Sequence, residues 1–178
     1  MSTVGIVTAA QAGRERKSEY SLLSPRIVEP EPLVQVGSPE QRCEQLAEEG
    51  QEQPSYLHLG VYSQCSVLLV DGNMQNSTSL FIQIQTDPSG EVSSFRLKFN
   101  TEGTEVQRLV VQGLKSLKRF EGLGGADDRL FQSLGSKINQ WQSFRLIWGH
   151  YLLEMDQELS DRNRFNLIAR SLRATNAS

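Results

Sequence analysis

Apolar and polar residues alternate most cleanly in STSLFIQIQT, where Leu80, Ile82 and Ile84 point one way and Phe81, Gln83 and Gln85 the other. A period of two is the mark of a strand with one wet face. TDPSGE follows, with Pro88 suited to a turn's second position and Gly90 to a residue with positive φ. SSFRLKF then alternates again, placing Phe95, Leu97 and Phe99 inward and Arg96 and Lys98 outward. The two runs and their turn predict an antiparallel hairpin. Upstream, LHLGVYSQCSVLLVDGN alternates and then runs continuously apolar before the turn chemistry of Asp71, Gly72 and Asn73.

The period then lengthens. In NTEGTEVQRLVVQGLKSLKRFEG, Val106, Leu109, Val110, Leu114, Leu117 and Phe120 recur at threes and fours, so a helix is expected. Thr104 with Gln107 reads as its capping box, and Lys118 and Arg119 suit its last turn. The stretch GLGG, followed by Asp127 and Asp128, falls after a helix rather than a strand and lacks the third glycine of a dinucleotide loop. It reads as a hinge, with Gly122 as a stop and Asp127 as the next N-cap.

Leu130, Phe131, Leu134, Ile138 and Trp141 fit a further helix, and the stripe continues through Phe144, Ile147, Trp148, Tyr151, Leu152, Met155 and Leu159. FRLIWGHYLL is aromatic and holds Gly149, so a strand fits there too and residues 142–153 stay open. Ser160 or Asp161 can cap a last helix over about 161–173, with Phe165, Ile168, Ala169 and Leu172 as its apolar side. The expected class is α+β: a small antiparallel sheet over about 56–100, then a mostly helical C-terminal half packed on one face.

Composition changes the picture at the N-terminus. Five of the six prolines (Pro25, Pro30, Pro32, Pro39 and Pro54) lie in the first 54 residues, which carry nine acidic and five basic side chains. Such a segment buries too little apolar surface to offset its ordering cost, so residues 1–54 read as a disordered arm and 55–178 as one domain. A short helix fits PEQRCEQLAEEG within the arm. Cys43 and Cys65 then fall one in the arm and one in the domain, and two reduced thiols are expected. No apolar run is long enough for a transmembrane helix and no export signal is evident, which points to a cytoplasmic or nuclear location.

Catalytic signatures are sparse. His58 and His150 are the two histidines, no serine sits in a Gly-x-Ser-x-Gly elbow, and the cysteines and histidines lack zinc-site spacing. No catalytic residue, cofactor or metal is assigned, and a non-enzymatic interaction or structural protein is expected. Tyr20, Leu22 and Leu23 in the arm are the candidate hook for a protein partner. Trp141, Phe144, Trp148 and Tyr151 form an aromatic group that a chain of this size has trouble covering, so self-association through it is expected. The alternative is a nucleic-acid or anionic-membrane surface made from Arg108, Lys115, Lys118 and Arg119 of one helix and Arg162, Arg164, Arg170 and Arg173 of the last. In layout, a compact domain behind a proline-bearing arm resembles small matrix-type structural proteins of negative-strand RNA viruses, whose arm is however basic; the resemblance would add a virion location.

Overall fold

The computed structural model describes residues 26–27, 37–47, 53–71, 78–102, 105–122 and 129–173. In chain order the elements are β1 (Arg26–Ile27), α1 (Pro39–Glu44), β2 (Ser55–His58), β3 (Ser63–Asp71), β4 (Thr78–Thr86), β5 (Val92–Asn100), α2 (Val106–Phe120), α3 (Arg129–Asn139), β6 (Phe144–Trp148), β7 (Tyr151–Gln157) and β8 (Arg164–Ser171). The strands form a single sheet in the order β1-β6-β7-β8-β5-β4-β3-β2. Every pairing is antiparallel except that of the two-residue β1 with β6.

The expected hairpin is β4–β5, with Ile82 opposite Leu97 and Ile84 opposite Phe95. Its turn closes through Gly90 N–H to Asp87 O at 2.9 Å, with Gly90 at φ 86°. Helix α2 lies across the core face of this half. Gly113 permits the close approach: a Cβ there would stand 2.8 Å from Leu97 Cδ2. Thr104, the expected N-cap, lies outside the described residues; Glu105 holds that position without a side-chain cap bond.

The C-terminal half is not mostly helical, and the expected fold class is corrected accordingly. Beyond α3 the chain forms three strands, and β8 joins the centre of the sheet by pairing with β5. The physical reason is that the apolar residues satisfy two periods at once. Phe144, Leu146 and Trp148 in β6, and Tyr151, Leu153 and Met155 in β7, line the core face by strict alternation. Ile147 and Leu152 are buried on the other face, so the run also looks helical. Gly149, at φ 56°, reverses the chain between them. The helix expected over 161–173 is likewise β8. Its core residues are Phe165, Leu167, Ala169 and Ser171, and Ile168 points to the opposite face.

Residues 37–47 belong to the folded body, so the arm expected to run to residue 54 is interrupted. Ser38 and Gln41 make a reciprocal capping box at the start of α1. Cys43 and Leu46 are buried in the main core. Cys43 and Cys65 form a disulfide across 22 residues, which overturns the expected pair of reduced thiols. The thiols were placed in separate units; α1 in fact packs beside β3, and Cys65 faces it from the core side of the sheet.

Candidate functional site

The arm residues Tyr20, Leu22 and Leu23 lie outside the described residues, as does the hinge from Leu123 to Asp128. The four aromatic residues of the expected group fall into separate contacts, three of them buried. Trp148 and Tyr151 are 1 % exposed and stack at 5.8 Å between centroids, and Phe144 is also buried. Trp141 packs its ring 5.5 Å from Phe99 and 6.1 Å from Phe165. Phe144, Trp148 and Tyr151 are thus covered within one chain, and Trp141 stays partly exposed.

The two cationic groups are not brought together. Arg108, Lys115, Lys118 and Arg119 sit on α2, over the core face of the sheet, with Lys118 buried. Arg164 and Arg170 project from the opposite face of β8. Each has an acidic partner: Arg164 pairs with Asp161 at 3.1 Å, and Arg170 pairs with Glu154, which also holds Arg145 at 2.6 Å. Beside them Lys98 pairs with Glu158 at 2.9 Å, and Arg96 donates twice to Asn166 Oδ1. Arg162 lies in the β7–β8 turn, its carbonyl accepting from Gln157 Nε2, and Arg173 follows β8, its N–H donating to Ser171 Oγ. Over β5, β7 and β8 the face of the sheet away from α2 is thus laced with compensated charge.

Under α1 lies a buried polar cluster. Arg42, 4 % exposed, donates to Phe120 O at 3.1 Å and Gly90 O at 2.5 Å, and its guanidinium lies 4.5 Å from the Phe120 ring centroid. Next to it Tyr151 Oη donates to Glu121 Oε1 at 2.6 Å. Burial raises the Glu121 carboxyl above its ordinary range, against the opposing pull of the Tyr151 hydrogen bond and the Arg42 charge. The same burial, with the Glu121 charge, pushes the Tyr151 phenol up. His150, its ring 4.2 Å from that of Tyr151, is held below the usual imidazole range by burial and by Arg173. These groups tie α1, α2 and the β4–β5 turn together. Among the described residues, no three acidic, histidine or cysteine side chains converge to hold a metal ion.

A surface feature that the sequence reading passed over sits at the far corner of the sheet. Among the described residues, strand β2 is the last in the order, with β3 as its one strand neighbour. Leu57, Leu59 and Val61 stand 49 %, 43 % and 77 % exposed around this strand and its turn. On the core side of the same corner, Tyr56, His58, Tyr62 and Ser63 meet Pro39 of α1 and the turn from Asp87 to Gly90 around a half-open cavity of about 220 Å³. His58 Nδ1 lies 2.9 Å from Ser63 Oγ. Asp87 Oδ1 accepts from Ser89 N, Ser89 Oγ and Glu91 N at 2.6–3.0 Å, which fixes the turn that closes the cavity. The signal was present in LHLGVY, whose three aliphatic residues Leu57, Leu59 and Val61 share one parity.

Among the described residues, no helix is long and apolar enough to cross a membrane. The model of one protein family, described as a family of unknown function (DUF6030), matches residues 7–178. No curated protein and no solved structure matches the chain.

Proposed function

The chain belongs to the DUF6030 family, and we propose that it acts as a non-enzymatic interaction protein whose docking surface for a protein partner is the β2 corner. The observation that carries this reading is the exposure of Leu57, Leu59 and Val61 on a terminal strand beside an aromatic-lined cavity. Sheet edges are templates for pairing, and proteins commonly protect them with lysine, proline or a bulge. The β2 strand, Ser-Tyr-Leu-His, has none of these within it. An aliphatic cluster left in water at such an edge is the pattern of a recognition surface.

The test is co-purification of the tagged chain from its native cell. A stoichiometric protein partner is expected with the wild type and with Leu159→Asp, an exposed leucine in the β7–β8 turn at the other end of the sheet. It is expected to be lost with Leu59→Asp and Val61→Asp, at unchanged thermal stability. A partner retained by both corner variants, or no partner at all, overturns the reading.

A further inference from the structure

Resting on that reading, we infer that the β2 corner binds its partner by strand addition, and that the partner segment is an extended, basic stretch alternating Lys or Arg with aliphatic residues. The geometry supplies each part. Among the described residues β3 is the one strand paired with β2, so an incoming strand can continue the sheet along its outer side, main-chain hydrogen bonds supplying affinity and side-chain pockets specificity. Because β2 is pleated, its two faces differ. Leu57 lies on the open face of the sheet, opposite Gln64, whereas Tyr56 and His58 lie on the cavity side, opposite Cys65 and Ser63. An added strand therefore meets Ser55 and Leu57 at one set of alternate positions, with Leu59 and Val61 beyond the strand's end, and the cavity side at the other.

Charge decides what enters the cavity. Asp87 lines it, and Glu40 and Glu91 are exposed one residue along from the lining residues Pro39 and Gly90. Within 37–47, 53–71 and 78–92 the one lysine or arginine is Arg42, which is buried and turned to the carbonyls of Phe120 and Gly90. The mouth is thus an acidic rim around two tyrosine rings. Lysine and arginine fit such a place well, since the methylene stem packs on the rings and the charged end meets the carboxylates. A second copy paired through β2 is a separate outcome, read by cross-linking.

The probe is an end-capped eight-residue peptide alternating lysine with valine, titrated against the full chain by isothermal calorimetry. Its counterpart alternates glutamate with valine, and a third peptide carries N-methyl groups on alternate amides. Saturable binding of the basic peptide is expected, at least tenfold weaker for each of the other two. The doubly reversed Glu40→Lys/Glu91→Lys variant should lose at least tenfold, and NMR amide shifts should gather at 55–63 and 87–90. Equal affinity for the basic and acidic peptides, no loss on N-methylation, shifts centred on β5 and β8, or absence of binding would each overturn the inference. So would a homodimer cross-linked through position 57. If the corner variants abolish partner co-purification while the basic peptide fails, the docking reading stands and the peptide chemistry falls. If co-purification is indifferent to the corner, the docking reading itself fails.

Discussion

Gly113 shows how one absent side chain sets the distance between layers. Its substitution by alanine would gain about 1 kcal/mol of helix propensity, but it drives a Cβ to 2.8 Å from Leu97 Cδ2 and 3.2 Å from Leu80 Cδ2, both fully buried. Overpacking a filled core costs about 1–3 kcal/mol, so Gly113→Ala is expected to lower the melting temperature by a few degrees, which thermal unfolding followed by circular dichroism would read. Glu121 makes a second residue-scale prediction. Its carboxyl is raised by burial in the folded state, so the fold prefers the protonated form. That preference is fully present below the ordinary glutamate range and is lost as pH rises through the raised folded value. Glu121→Gln keeps an acceptor for Tyr151 without the charge. The melting temperature of the glutamine variant minus that of the wild type should therefore grow as pH rises through this interval and level off above it. A difference that shrinks with pH would contradict the assignment. Neither residue was legible beforehand: the apolar stripe from Val106 to Phe120 passes over Gly113, and nothing local marks Glu121, whose partner Tyr151 is 30 residues away.

At the scale of elements, β4, β5 and α2 were legible because each has one unambiguous period. Two buried faces defeated the same reasoning in β6 and β7. Where both sides of a strand are covered, apolar residues also fall at threes and fours, and the aromatic content with Gly149 was the sole local hint of a strand. In β8 the error was narrower, since Phe165 and Ala169 belong to both periods and Leu167 decided between them. Helix α1 illustrates a different limit. Its capping box is local, but its attachment depends on Arg42 and on the disulfide to Cys65, which are long-range. Closing 22 residues with a disulfide contributes about 3 kcal/mol through the unfolded chain. Cys43→Ala/Cys65→Ala is accordingly expected to lower the unfolding free energy from denaturant titration by that margin, and intact mass of the wild type should show two hydrogens fewer than the reduced chain. A wild type that takes up two thiol labels when denatured without reductant would contradict the pairing.

For the molecule as a whole, one sheet carries both halves of the chain, with α2 and α3 confined to its core side and charge pairs spread over the other. This arrangement separates Arg108, Lys115, Lys118 and Arg119 from Arg164 and Arg170, which a reading of helices side by side would have merged. Topology alone brings the β2–β3 turn and the Asp87–Gly90 turn to one end and the β7–β8 turn to the other, and no local pattern carries that information. The cavity residues Tyr56, Tyr62 and Asp87 were each visible in the sequence, but their convergence with Pro39 depends on the docking of α1.

The central claim is that the β2 corner, and not the open sheet face, meets the partner. Amide hydrogen exchange of the chain alone and in its isolated native complex tests this most directly. Slower exchange confined to residues 55–63 and 87–90, with 79–85, 94–100 and 164–170 unchanged, is the expected result. Slowing across 94–100 and 164–170 with the corner unaffected would contradict it.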